Sequence, residues 1–128
     1  AIQASSYGGP LKWFSNPHQG GLYESVVALS LGDGRVVDRY DLPPDNYIVS
    51  EPTFLPRIGR TQEDSSDGYI LVVTTRVHPS CEDNDDDDPR PLDSAVVILD
   101  ARKGLREVAR RRLPHAVPYG LHSAFVPS

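Results

Sequence analysis

Methionine is absent from the 128 residues, and cysteine and tryptophan occur once each. No apolar run approaches the roughly 20 residues of a membrane-spanning helix, so membrane contact is not indicated by this segment. No basic start followed by an apolar stretch marks a secretory leader. With Cys81 as the lone thiol, no disulfide can close within the chain. Nothing then demands an oxidising compartment, and the cytoplasm is the default expectation. Neither a G-x-S-x-G elbow, a P-loop, a C-x-x-C pair nor an H-E-x-x-H helix occurs, which removes the hydrolase, nucleotide and zinc readings those motifs carry. A chain that starts at Ala1 without methionine reads as a processed product or a piece of a longer protein.

Net charge is also scarce once one segment is set aside. The total is −5, but residues 82–88 hold six acids and no base; without them the balance moves from −5 to +1. No broad field attracts or repels nucleic acid. Arg110-Arg111-Arg112 is short and lacks interleaved aromatics, so no nucleic-acid partner is expected. The acidic run lacks the glycine and the bidentate glutamate of a calcium loop, which makes it a solvated loop. The acids beside Cys81 favour its thiol, so a reactive thiolate is not expected.

What is present is punctuation. Twelve prolines and ten glycines break the chain into short pieces, and the pieces between them favour strands. Residues 1–21 read as an irregular lead-in and 22–128 as the body, with residues 78–92 as a long exposed loop. Val26–Leu31 and Arg35–Tyr40 flank Asp33-Gly34 and predict a hairpin. The run Tyr69–Val77 is the strongest strand signal; its apolar residues do not alternate, which predicts cover on both faces. Ala95–Asp100 predicts another buried strand, Lys103-Gly104 a turn, and Glu107–Leu113 a strand with arginines outward. About seven short strands at this spacing imply an all-β, mostly antiparallel fold, as a sandwich, a barrel or part of a propeller.

Four strings occur in order, SEPTFLPR (50–57), DGYILVV (67–73), AVVILDAR (95–102) and RLPHAVPYGLH (112–122), with a polar loop between the first two. Over about residues 22–126 the sequence resembles the C-terminal section of the carotenoid oxygenase family, which includes apocarotenoid-, stilbene- and retinal-pigment-epithelium-type members. The resemblance implies the last blades of a seven-bladed β-propeller. It also implies a non-heme Fe(2+) dioxygenase that splits a conjugated C=C bond of a carotenoid, apocarotenoid or stilbene into two carbonyl products. Its expected partners are an apolar conjugated substrate, dioxygen and the N-terminal remainder of the propeller.

In that family four histidines hold the iron, and His122, at the end of Pro118-Tyr119-Gly120-Leu121-His122, matches one of them. From spacing alone, His122 is a buried histidine satisfied by a backbone carbonyl; the resemblance makes it the metal ligand. Glu51 matches a glutamate that orients a ligand in the family, and the expectation is that it accepts from the second ring nitrogen of His122, a contact that fixes tautomer and ring plane. Without the resemblance it is an exposed acid before a proline. Leu121 and Phe125 flank the ligand and are candidates to line a substrate tunnel. Leu121 and Ser123 stand where the family usually has Phe and Gly, which bears on substrate and geometry more than on the metal. His18 and His78 lie beside prolines and His115 at a position that is not a ligand in the family, so all three read as structural or solvated. One histidine does not make an iron site, so the segment by itself is expected to be inactive. The alternative is a non-catalytic β-domain that uses its sheet as an interaction surface.

Overall fold

The computed structural model describes residues 2–6, 23–59, 67–77, 91–118, 124 and 126. Every regular element among them is a strand, and every pairing is antiparallel. β1 (Ile2–Ser6), β2 (Tyr23–Leu29) and β3 (Val36–Asp41) form one group, with β2 in the middle. The hairpin β2–β3 turns through Leu31–Asp33, and Gly34 takes a φ of 70°, a left-handed backbone that glycine adopts without a Cβ penalty. β1 falls inside the segment that reads as irregular. Its sequence, IQASS, has no alternating apolar signal, and pairing with the edge of β2 makes it a strand.

The second group is a meander. β4 (Asn46–Ile48) and β5 (Thr53–Pro56) lie end to end along one edge of β6 (Gly68–Val77). β7 (Pro91–Asp100) lies along the other edge, and β8 (Arg106–Arg112) closes the blade. A single pair, Tyr23↔Ile48, joins the two groups into one sheet. This is the all-β, antiparallel arrangement of propeller blades.

Alternation along β6 decides what is buried. Ile70, Val72 and Thr74 share one face with their cross-strand partners Leu99, Val97 and Ala95. Ile48, Val26 and Leu105 join Ile70, Val72, Val97 and Leu99 in a core whose members are each at most 2% exposed. Val26 comes from β2, so this core is where the two groups pack together. Leu105 adopts a φ of 55° at the β7–β8 turn yet is 1% exposed. Left-handed backbone costs such a residue roughly 1–2 kcal/mol, which burial of a leucine side chain, about 2 kcal/mol, offsets. The opposite face carries Leu71, Val73, Val96 and Ile98, all partly buried. Both faces of β6 and β7 are therefore apolar, which explains the missing alternation. Stacked blades require two such faces.

Tyr40 on β3 also reaches β8. Its hydroxyl donates to Glu107 Oε2 at 2.5 Å, and Arg110 Nη2 donates to the same hydroxyl at 3.1 Å. Burial, then the Glu107 carboxylate, push the Tyr40 phenol up to about 12. The Arg110 guanidinium holds Glu107 below the usual glutamate range.

Candidate functional site

The motif strings converge at two ends of the second blade. At one end stand Arg57, Asp67, Gly68, Tyr69, Asp100 and Arg102. Asp67 is 5% exposed, and its Oδ1 accepts from Arg57 Nε at 3.1 Å and from Arg102 Nη1 at 3.4 Å. The Arg57 guanidinium lies over the Tyr69 ring, 4.8 Å from its centroid, and donates to the Tyr69 hydroxyl at 2.7 Å. Asp100 accepts from the backbone N–H of Arg102 at 2.9 Å, which shapes the turn after β7. A Cβ on Gly68 would run into the Leu55 carbonyl oxygen and the Phe54 ring, so only glycine lets β5 approach β6 here. The LPR, DGY and LDAR strings thus serve to fasten strands.

Between the ends, the strand edge is broken at Ser50-Glu51-Pro52. Ile48 pairs with Thr74 and Thr53 with Leu71, so residues 49–52 face only Val72 and Val73. Pro52 has no N–H to give to a ladder. Ser50 repairs the gap: its Oγ accepts from the Val73 N–H at 2.8 Å and donates to the Glu51 carbonyl at 3.2 Å. Glu51 is exposed on this two-residue bulge and takes part in a further interaction. Bulges of this kind re-aim side chains.

At the other end, neutral groups meet. Thr75 on β6 and Ser94 on β7 are directly opposite and 3% and 1% exposed. Their hydroxyl oxygens are 2.6 Å apart. The Val117 N–H donates to Ser94 Oγ at 2.7 Å, and Thr75 Oγ1 donates to the Val117 carbonyl at 2.7 Å. Each hydroxyl has one proton. Thr75 uses its proton on Val117, so Ser94 donates to Thr75 and the ring of hydrogen bonds closes. Leu113 N–H adds a bond to the Ser94 carbonyl at 2.8 Å. Outside the ring, Asp93 pairs with Arg76 at 2.7 Å and with Arg112 at 3.6 Å. The Arg76 hydrogen bond holds the Asp93 carboxyl below its usual range.

His122, Leu121 and Phe125 lie outside the described residues, as do His18, His78, Cys81 and the acidic run 82–88. His115 is exposed. Among the described residues no group of three or more His, Cys, Asp or Glu is placed to hold a metal ion. Thr75 and Ser94 were not singled out by sequence reasoning. The available signal was a pair of hydroxyl residues inside otherwise apolar buried strands, LVVTTRV and DSAVVIL.

Fold and motif placement thus define an antiparallel blade structure in which motif residues fasten strands, while Thr75 and Ser94 clamp the Val117 peptide. The family model described as retinal pigment epithelial membrane protein matches residues 11–127, most of the chain, and the chain belongs to that family of carotenoid oxygenases. It is similar to carotenoid dioxygenase carX of Gibberella fujikuroi, 39% identical over 95 residues covering 72% of this chain and 12% of that protein. The chloroplastic carotenoid cleavage dioxygenase 8 of Arabidopsis thaliana is 35% identical over 80 residues, 62% of this chain and 11% of the relative. A human mitochondrial carotenoid-cleaving dioxygenase is 30% identical over 83 residues, 65% and 12%. The matched region is thus about an eighth of each relative.

Proposed function

We propose that this chain is the C-terminal portion of a non-heme Fe(2+) dioxygenase that cleaves a conjugated C=C bond of a carotenoid, apocarotenoid or stilbene. The observation that supports it is a family match that runs through the PYGLH stretch, together with relatives that are carotenoid-cleaving dioxygenases. His122 would hold the metal, since a neutral imidazole is a fitting donor for ferrous iron. Bound iron would supply dioxygen activation, by which both oxygen atoms are added across the double bond and two carbonyl products form.

The chain's own residues have narrower tasks. Glu51, on its bulge, would accept from the second imidazole nitrogen of a ligand and fix its tautomer. Leu121 and Phe125 would line an apolar tunnel beside the ligand. The partly buried face of Leu71, Val73, Val96 and Ile98 would pack against the remainder of the propeller. Because a single histidine is one donor, activity belongs to the full-length protein.

Iron analysis of the full-length protein tests the reading. In His122→Ala, iron content and cleavage of a carotenoid or stilbene substrate should both fall at least about a hundredfold, because first-sphere ligands matter more than the outer partners worth 10–100-fold. Glu51→Gln should weaken iron binding about tenfold and keep measurable activity. Wild-type iron content in His122→Ala would overturn the assignment and favour a non-catalytic interaction domain.

A further inference from the structure

We propose that the outer edge of β8 is a docking edge for an acidic segment of a partner protein, which adds to the blade as a further antiparallel strand. Two strands, β6 and β7, separate this edge from the Glu51 bulge, so the proposal does not depend on the iron reading.

The register shows which backbone groups the edge offers. The Leu113 N–H donates to the Ser94 carbonyl at 2.8 Å, which continues the pairing of Ala95 with Arg112. Bonded pairs alternate along an antiparallel ladder, so Ala109 and Arg111 turn their N–H and C=O toward β7. Arg110 and Arg112 turn theirs away from the sheet. Among the described residues β8 pairs with β7 alone, and all of its residues but Glu107 are exposed. Past the register shift at Val108, an incoming strand finds these two residues with donor and acceptor free for a ladder.

Charge decides which strand. Residues 102–112 hold six of the chain's thirteen Lys and Arg residues and a single acid, Glu107, a local +5 in a chain of −5. Part of this charge is already matched, since Arg102 reaches Asp67 and Arg110 bonds Glu107 at 2.9 Å. Lys103, Arg106 and Arg111 have no side-chain partner among the described residues. The Arg112 side chain, 78% exposed, stands 3.6 Å from Asp93. Paired residues share a face, so Arg106 and Arg111 lie on the face of Val96 and Ile98, and Arg112 on the face of Val97.

Three occupants can be compared. A strand added in the plane of the sheet projects side chains to both faces and meets Arg106, Arg111 and Arg112 together. A lipid surface meets one face and makes no use of the ladder. A second copy of β8 would set arginine against arginine, which destabilises a strand pair. The occupant that suits both backbone and charge is an extended segment rich in aspartate or glutamate, whose carboxylates take paired hydrogen bonds from guanidinium groups.

The test uses the full-length protein and a fluorescent peptide of about eight residues, in which pairs of glutamates are separated by threonine. Adjacent glutamates then point to opposite faces. A second peptide has proline in place of threonine, which keeps the charge and removes strand donors. Anisotropy reads binding, and deuterium exchange reads the edge. The threonine peptide should bind and slow exchange at the Arg110 and Arg112 N–H groups, while those of Ala109 and Arg111, already paired, do not change. The proline peptide should bind at least about tenfold more weakly. Arg106→Gln, Arg111→Gln and Arg112→Gln combined should weaken the threonine peptide about tenfold, because exposed ion pairs contribute little singly. Equal binding of the two peptides, unchanged exchange at Arg110 and Arg112, or wild-type affinity in the triple variant overturns the proposal. Vesicles of phosphatidylserine and phosphatidylcholine are the other arm. Binding to them without binding to the threonine peptide would make the strip a lipid-facing surface and overturn the proposal as well.

Discussion

Where β5 meets the start of β6 and the finish of β7, the second blade is tied by charge: Arg57 and Arg102 converge on buried Asp67, and Arg57 also covers Tyr69. Where β6 ends and β7 begins, it is tied by two neutral hydroxyls that grip a peptide of the C-terminal segment. The charged end joins strands already paired to one another. The neutral end joins a segment that is in no strand. The difference teaches why the chemistry differs. The two arginine side chains are 37% and 57% exposed, so their charges keep much of their hydration. Thr75 and Ser94 are almost fully enclosed, where an ion would be costly and a satisfied neutral ring is not.

Gly68→Ala should break the charged end most severely. Its new Cβ meets the Leu55 carbonyl and the Phe54 ring, and the backbone atom cannot swing aside. Overpacking of this kind costs about 3 kcal/mol, and β5 should part from β6. Denaturant unfolding of the full-length protein measures it. If the two ends are independent, the remaining folded protein keeps wild-type deuterium exchange at residues 117–124. Faster exchange there would show that the ends are coupled and dissolve the contrast.

Asp67→Asn comes next. The substitution keeps the shape and removes the charge on which two arginines converge, and about 2 kcal/mol should be lost. A midpoint unchanged in urea would mean that solvent screens this end entirely. The Val117 N–H should exchange as slowly as in wild type in the folded fraction, in contrast to Thr75→Val.

These elements were not equally legible in the sequence. The β2–β3 hairpin, β6 and β7 follow from Asp33-Gly34 and from two dense runs of β-branched residues, because local chemistry determines them. The interruption at Ser50–Pro52 was visible only as a proline. Its repair by the Ser50 hydroxyl depends on Val73 in a strand 23 residues away. β1 gave no signal, since small polar residues become a strand only when a neighbour's edge is free. The clamp was invisible for a similar reason: Thr75 and Ser94 mean nothing apart until the register places them opposite one another. Of the candidate site, Glu51 is placed on an exposed bulge, while the histidine partners of a four-histidine set would come from sequence outside these residues. Pattern reasoning reads one strand at a time, and both the bulge and the clamp are properties of pairs.

The smallest predicted effect separates titratable ties from neutral ones. Arg110 holds the Glu107 carboxyl below its usual value of 4.5, so the folded state binds this proton less readily than the unfolded chain. That contribution is fully present above pH 4.5 and is lost as the pH falls through the lowered folded value. On the alkaline side the sign reverses. The Tyr40 phenol, raised from 10.0 to about 12, contributes below pH 10.0 and loses its contribution as the pH rises through about 12. Glu107→Gln should therefore cost about 1 kcal/mol near neutrality and nothing in strong acid, where wild type and variant converge. It should also bring the Tyr40 titration, followed by ultraviolet absorbance, part of the way down, because burial remains as the larger cause. Thr75→Val contains no such group, and its destabilisation should be the same at pH 5 and pH 8. A loss in Thr75→Val that changes once the pH falls below 3.8 would mean that Asp93, whose carboxyl Arg76 holds below that value, supports the clamp as well, and the neutral end would then depend on charge after all.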